Sequence, residues 1–318
     1  MYKIAIQLDD FNSLSPQTDT TLAISHILNE RGHKLFYYHP RTLSLQYGKL
    51  YAYGCECILD LEAGNHEKIF QVTSQYHLEL SEVDLILVRQ DPPFDMKYLT
   101  SLYLLETISD KVLIFNGPSG IRGVVEKIFP VYFQEFLPKM VITGELQVAK
   151  NFAEQYNNIV IKSLYGHAGK DVKKILMHDP LWMQQIDEYI KKYNYIILQE
   201  YLPEVEKNGD KRVLLVNGKI MTAFQRLPKQ GDFRANMAAG GSAIATELTP
   251  REVEICQTIA PFLSDKGIFL AGIDLLNEKL IEVNVTSPTG VKAASQIYHE
   301  DFALRIVEEL ESALENKS

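Results

Sequence analysis

A chain of 318 residues, 46% hydrophobic and 23% charged, has the composition of a globular protein with two or three domains and a sizeable core. Its net charge of −9, with no basic face in view, argues against a nucleic-acid binder, so an anionic ligand would need local positive contacts. Met1 leads straight into a strand rather than into a basic and then apolar leader, and no run reaches membrane-span length; the expected location is the cytoplasm, with no membrane partner.

Lys3 to Leu8 reads as a buried strand, and Thr18 or Asp19 caps a helix that stops at Gly32. KLFYYH, VDLILVR and VLIFN are short apolar runs rich in β-branched and aromatic residues, with a helix from Met96 to Ser109 between the last two. The alternation predicts a βαβ layout on a mostly parallel sheet. Cys55 and Cys57 form a C-x-C pair without a second Cys or His pair, and with Cys256 they read as structural. Further on, KMVITG, NIVIKS, VKKIL and YIILQEYL read as strands, interrupted by helices from Leu146 to Gln155 and from Leu181 to Lys192. RVLLVNGKI predicts a hairpin turning at Asn217-Gly218. The segment Leu227–Ala243, with its glycines, Arg234 and little periodicity, reads as a mobile binding loop or lid. Thr249, Pro250 and Glu252 supply cap, first-turn proline and capping box for a helix to Gly267. FLAGIDLLNEKLIEVNV predicts a second hairpin, and one final helix closes the chain.

Several clusters suggest chemistry. In the second hairpin, a three-residue loop Asn277-Glu278-Lys279 sets Asp274 opposite Glu282, with Asn284 on the same face; a two-residue loop turns Glu282 away. Three oxygen donors on rigid strands suit Mg²⁺, although this pattern taken alone more often marks a solvated polar face. After the strand ending in Lys162, Gly166 and Gly169 let backbone N–H groups approach a phosphate; an ordinary turn would look the same. Gln199, Glu200, Tyr201 and Leu202 end a strand where a nucleotide base can sit. Arg212, in a stretch with Asp210, and Arg226 and Arg234 further on offer guanidinium forks for phosphate or carboxylate oxygens, or simply surface ion pairs. RQDPPFD follows a strand at its carboxyl end, where Arg89 is placed to hold a substrate carboxylate.

RQDPPFD, QEYLPE, GDKRVLLVNG, the loop around RANMAAGG and D-x₇-E-x-N-V-T-S-P-T occur in one order over nearly the whole chain. In this the chain resembles the bacterial glutathione synthetases of the ATP-grasp superfamily. The resemblance implies an α/β (α+β) ATP-grasp fold: an N-terminal Rossmann-like domain (1–123), a central lid subdomain (124–202) and a C-terminal ATP-grasp domain (203–318). It implies that Lys127, Lys162, Gly166, Gly169, Gln199, Glu200, Tyr201, Leu202 and Asp210 bind ATP. Arg212, Arg226 and Arg234 would carry catalytic charge. Arg89, Ser287, Pro288, Thr289, Gly240 and Gly241 would meet the peptide substrate. Asp274, Glu282 and Asn284 would hold Mg²⁺, with Mn²⁺ as substitute. The implied reaction phosphorylates the cysteinyl carboxylate of γ-glutamylcysteine with ATP and lets glycine displace phosphate, in a homodimer or homotetramer. The chain departs from the family at Ala168, where adjacent glycines are usual, and at Ala235. Another carboxylate–amine ligase or a non-catalytic ATP-binding regulator would share the fold; the complete set of metal-ligand candidates and Arg226 favour an enzyme.

Overall fold

The computed structural model describes residues 1–11, 14–61, 69–167, 169–237 and 240–316. Strand β1 (Lys3–Gln7) is buried on both faces, as a strand inside a covered sheet must be. It runs parallel to β2 (Lys34–Gln46) on one side and to β5 (Leu85–Val88) on the other, and β5 runs parallel to β6 (Leu113–Phe115). Helices α1 (Thr20–Glu30) and α2 (Met96–Glu106) are capped by Asp19 and Asp95, whose side chains accept from first-turn amides.

The other half of this sheet departs from the parallel layout expected. Strand β2 extends well past KLFYYH and turns at Tyr47 (φ 50°) and Gly48 (φ 78°), the left-handed pair that a two-residue hairpin needs. It returns as β3 (Lys49–Leu59), and β4 (Phe70–Glu79) pairs antiparallel with β3, giving the order β4-β3-β2-β1-β5-β6. The alternation in β3 was a readable strand signal, but the polar, largely exposed β4 was not.

A short helix α3 (Pro118–Gly123) and a 3₁₀ segment (Phe129–Phe136) lead to the second sheet. Its strands β7 (Met140–Thr143), β8 (Asn158–Ser163), β9 (Val172–Leu176) and β10 (Ile196–Glu200) are antiparallel in the order β7-β10-β8-β9. Helices α4 (Leu146–Ala153) and α5 (Trp182–Tyr193) cover one face, where Ile159, Ile161, Ile196 and Leu198 meet Ala149 and Ile186. With a period of two, Val160 and Lys162 point to the other face.

After the short helix α6 (Val205–Asn208), the third sheet is β13-β12-β11-β14-β15, antiparallel throughout: β11 (Asp210–Val216), β12 (Lys219–Leu227), β13 (Ser242–Ala245), β14 (Leu270–Leu276) and β15 (Lys279–Asn284). Helix α7 (Pro250–Asp265) starts in the expected capping box. Two helices, not one, close the chain: α8 (Val291–Tyr298) ends at His299 (φ 53°), and Asp301 caps α9 (Phe302–Glu315). The loop of the β14–β15 hairpin also differs from expectation. It has two residues, Asn277 and Glu278, both left-handed (φ 49° and 59°). Leu275 faces Leu280, yet Asp274 faces Glu282, so Ile281 is an extra, bulged residue. The bulge restores the register that the two-residue loop alone would lose.

The first and third sheets share their interiors. One cluster joins Ile86 and Leu102 to Ile255, Ile273 and Val283; another joins Ile4 and Leu22 to Leu214, Phe224 and Leu310. Buried Asn116 clasps the two halves: its Nδ2 donates to Leu270 O and Val285 O at 2.7 Å each, and its Oδ1 accepts from the Phe269 and Leu270 amides at 2.9 Å. Among the described residues, no helix is long and apolar enough to cross a membrane.

Candidate active site

The second and third sheets face each other across a cavity of about 480 Å³. On the third sheet, cross-strand register lines up a row of charge: Glu282 on β15 opposes Asp274 on β14, and Asp274 opposes Arg212 on β11. Two residues along β11, on the same face, Asp210 opposes Arg226 on β12. The guanidinium of Arg212 grips Asp274 through Nε and through Nη2 (3.0 Å). Arg226 binds Asp210 through two parallel bonds (2.7 and 2.6 Å) and reaches diagonally to Asp274 (3.0 Å). Burial alone would raise the Asp274 pKa; the two arginines outweigh it and hold the carboxylate ionised down to about 2. Gly272 makes room for this packing, since a Cβ there would come within 3.1 Å of the Arg212 side chain.

Lys127 enters from the connection ahead of the second sheet. Its ammonium lies 3.0 Å from Glu282 and also donates to Gly166 O. Burial opposes its charge, and Glu282 more than restores it, so its pKa stands above the usual lysine value. Lys162 is different. It is buried, and its ammonium donates to Gln199 Oε1 at 2.8 Å, with no salt bridge to a carboxylate among the described residues. Burial brings its pKa down to about 8. Gly166 passes so close to Ser163 that a Cβ would come within 2.3 Å of Oγ, and Gly169 is left-handed (φ 69°). Ala168 between them lies outside the described residues. Tyr201 and Leu202, at the end of β10, complete this wall.

The segment Leu227–Ala243 begins at the end of β12 and returns as β13, with Arg226 paired to Ala243 and Leu227 to Ser242. Its tip lines the cavity with Phe233, Arg234, Ala235, Asn236 and Met237. Arg234 pairs with Asp232 (2.7 Å) and donates to Gly169 O (3.3 Å), so the loop touches the turn after β8. Ala238 and Ala239 lie outside the described residues.

Most residues singled out in the sequence meet on this wall, including Ser287, Pro288 and Thr289. Four stand off it. Arg89 is buried between Thr21 Oγ1 (3.1 Å) and Pro288 O (3.0 Å), where it fixes the Ser287–Thr289 turn instead of opening onto a ligand. The Glu200 carboxylate accepts from the Lys139 amide (2.7 Å). Gly240 and Gly241 fold back on their own loop, Gly241 against Ala235 O. The wall also holds residues the sequence reading passed over. Glu126 accepts from the Thr286 hydroxyl (2.8 Å), and burial, helped by the charge of Glu282, raises its pKa. It immediately precedes Lys127, which was the available hint. Asn236 belongs to the RANMAAGG stretch.

The donor set fits a hard divalent cation. Asp274 and Glu282 are adjacent carboxylates, and Asn284 spends its Nδ2 on Gly272 O (3.2 Å) and Asp274 (3.3 Å), which leaves Oδ1 as the oxygen ligand. An α/β domain followed by two antiparallel sheets that close on a cavity of lysines and arginine–carboxylate pairs defines an ATP-grasp ligase. The solved D-cycloserine synthetase has this fold (TM-score 0.69, 14% identity, 98% of this chain and 99% of that one), as does D-alanyl-alanine synthetase A from Vibrio cholerae (0.63, 15%, 98% of each). The N-terminal domain of prokaryotic glutathione synthetase matches residues 2–122, and its ATP-grasp domain matches residues 126–299. The glutathione synthetases of Agrobacterium fabrum and Mesorhizobium japonicum are 40% and 38% identical, covering 94% and 95% of this chain and 93% and 95% of their own. The chain belongs to the prokaryotic glutathione synthetase family, and as such it is an ATP-dependent carboxylate–amine ligase.

Proposed function

We propose that the chain makes glutathione: ATP phosphorylates the cysteinyl carboxylate of γ-glutamylcysteine, and the amine of glycine then displaces phosphate. The observation that carries this reading is the charged row Glu282–Asp274–Arg212, facing Lys127 and Lys162 in a chain of this family. Among the described lining residues, Asp91, Glu126, Asp171, Asp210, Asp274 and Glu282 oppose Lys127, Lys162, Arg212, Arg226 and Arg234, a formal balance of −1. A polyphosphate meets no net attraction from such a wall, which favours binding together with a divalent cation. Asp274, Glu282 and Asn284 would hold Mg²⁺, which supplies charge neutralisation to the transferring phosphoryl group. As the nucleotide enters, Lys127 and the arginines pass from carboxylate to phosphate oxygens, and the carboxylates are left to the cation. Lys162 gains the anionic partner it lacks. The loop tip at Phe233–Met237 keeps water from the acyl phosphate, which water would hydrolyse. The same reading takes the enzyme to be cytoplasmic and a homodimer or homotetramer.

Phosphate release from Mg-ATP tests this directly. Release is expected only when γ-glutamylcysteine and glycine are both present, in step with glutathione formed. Release that ignores both substrates, or that needs a different carboxylate, would overturn the assignment.

A further inference from the structure

We propose that Asn236 aligns the attacking amine with the acyl phosphate, an inference that rests on the function just given. Asn236 lines the cavity, and both atoms of its amide, Oδ1 and Nδ2, are closed off with no hydrogen-bond partner among the described residues. Its amide packs on the turn after β8: a Cβ at Gly169 would come within 3.1 Å of Oδ1 and 3.4 Å of Nδ2. Its position does not come from its own polar atoms. Arg234, two residues earlier, donates to Gly169 O and is braced by Asp232, and Gly241 packs against Ala235 O on the other side. The loop thus presses a dry amide against the turn between β8 and β9 and leaves both of its bonds unmade. Such an arrangement is unfavourable unless a ligand completes it.

The amide defines what completes it. Nδ2 donates, so it suits a phosphoryl oxygen, and it lies beside the glycine turn that follows Lys162. Oδ1 accepts, so it needs an N–H, which neither the phosphates nor a carboxylate provides. An amine that has lost its ammonium proton still carries two N–H groups. One ligand assembly offers a phosphoryl oxygen and an N–H side by side: the amine poised at the acyl phosphate. There the nitrogen forms a bond to the acyl carbon, and the bond from that carbon to the oxygen bridging it to phosphorus breaks. Phosphate leaves with the electron pair, and the surplus proton on nitrogen passes to the departing phosphate. The competing N–H donors are the dipeptide's own amide and the adenine amino group.

The test compares full-length wild type with Asn236→Ala and Asn236→Asp. Glycine kinetics and the ratio of phosphate released to peptide formed are measured alongside the Kd of Mg-ATP and of γ-glutamylcysteine. For alanine, the KM for glycine is expected to rise about tenfold or more, the scale of one lost hydrogen bond in a dry site. More phosphate should be released per peptide, while both Kd values stay within about twofold. Aspartate keeps the acceptor, so it should retain the glycine KM and lose kcat, because its charge faces the phosphoryl group. An alanine variant with unchanged glycine KM and coupling overturns the proposal. So does a loss of nucleotide or dipeptide affinity at unchanged glycine KM, which would assign the amide to one of the competing donors. If wild type makes no glutathione at all, the functional reading falls first and this inference with it.

Discussion

The four-stranded sheet of residues 140–200 packs on its own helices, with Ala149, Ile161, Ile186 and Leu198 at its centre. The six- and five-stranded sheets have no such independence, because both larger clusters draw on both sheets and Asn116 ties them by four hydrogen bonds. At the cavity, the middle sheet meets the remainder through polar contacts such as Lys127 to Gly166 O and Arg234 to Gly169 O. The difference divides the site. The charged row of Glu282, Asp274 and Arg212 sits on a jointly packed scaffold, in a register that ladder hydrogen bonds fix. Lys162 and the glycine turn sit on a separately packed body that can shift without disturbing that row.

The largest effect is expected on the scaffold side. Glu282→Gln keeps the size of the side chain and removes a charge facing Lys127, so turnover should fall by at least about a hundredfold, as when a transition-state contact is lost. Its melting temperature should move by no more than about 4 °C, since only one partly exposed ion pair is lost. Turnover near that of wild type would remove Glu282 from the site.

A substitution in the middle body sharpens the contrast. Ile186→Ala empties part of a small core, at a cost of about 2–5 kcal/mol. Amide hydrogen exchange should quicken across residues 140–200 and Mg-ATP should bind less tightly, while β1, β11 and β14 stay protected. Equal acceleration throughout the chain would show one cooperative unit and end the comparison.

The smallest effect is a pH dependence of nucleotide affinity through Lys162. Burial has lowered its pKa to about 8 from 10.5, and a phosphate partner favours the charged form. Binding therefore takes up a proton above about pH 8, and affinity falls as pH rises through the window to about 10.5. Between about pH 7 and pH 9.5 the loss for Mg-ATP should be about thirtyfold, measured by calorimetric titration, and Lys162→Arg should flatten it. The unliganded fold moves the opposite way. Across that window the unfolded chain holds more protons than the native one, so the Lys162 contribution to stability improves with rising pH. A flat wild-type binding profile would show that Lys162 keeps its charge in the free enzyme.

Much of this was legible in the residues. Strands β8 and β9 fall where their apolar runs placed them, and the capping box of α7 is intact. The common face of Glu282 and Asn284 followed from alternation, whereas Asp274 joins it through a bulge and not through the three-residue loop expected. What stayed hidden depends on partners distant in sequence. Strand β4 pairs its polar residues along an edge, so it shows no apolar run. The left-handed Glu278 and the bulge at Ile281 carry no glycine to mark them. That Arg212 and Arg226 are bound by carboxylates depends on the register of three strands. The burial of the Asn236 amide depends on how a loop lands on a different sheet.

The bulge at Ile281 turns the placement of these carboxylates into a question of odd and even. A two-residue turn with one bulged residue sets Asp274 against Glu282, and so would a three-residue turn with no bulge. Gaining or losing one residue at either place alone would swing Glu282 to the opposite side of the sheet. A gain at one place matched by a loss at the other would leave the site untouched. The same parity governs the β11–β12 hairpin, where Met221 is the extra residue after the Asn217-Gly218 turn and Arg226 depends on it for its alignment with Asp210. Insertions and deletions in either hairpin are therefore compatible with a working site only as compensating pairs, so turn length is free to drift while the order of charges across the sheet is not.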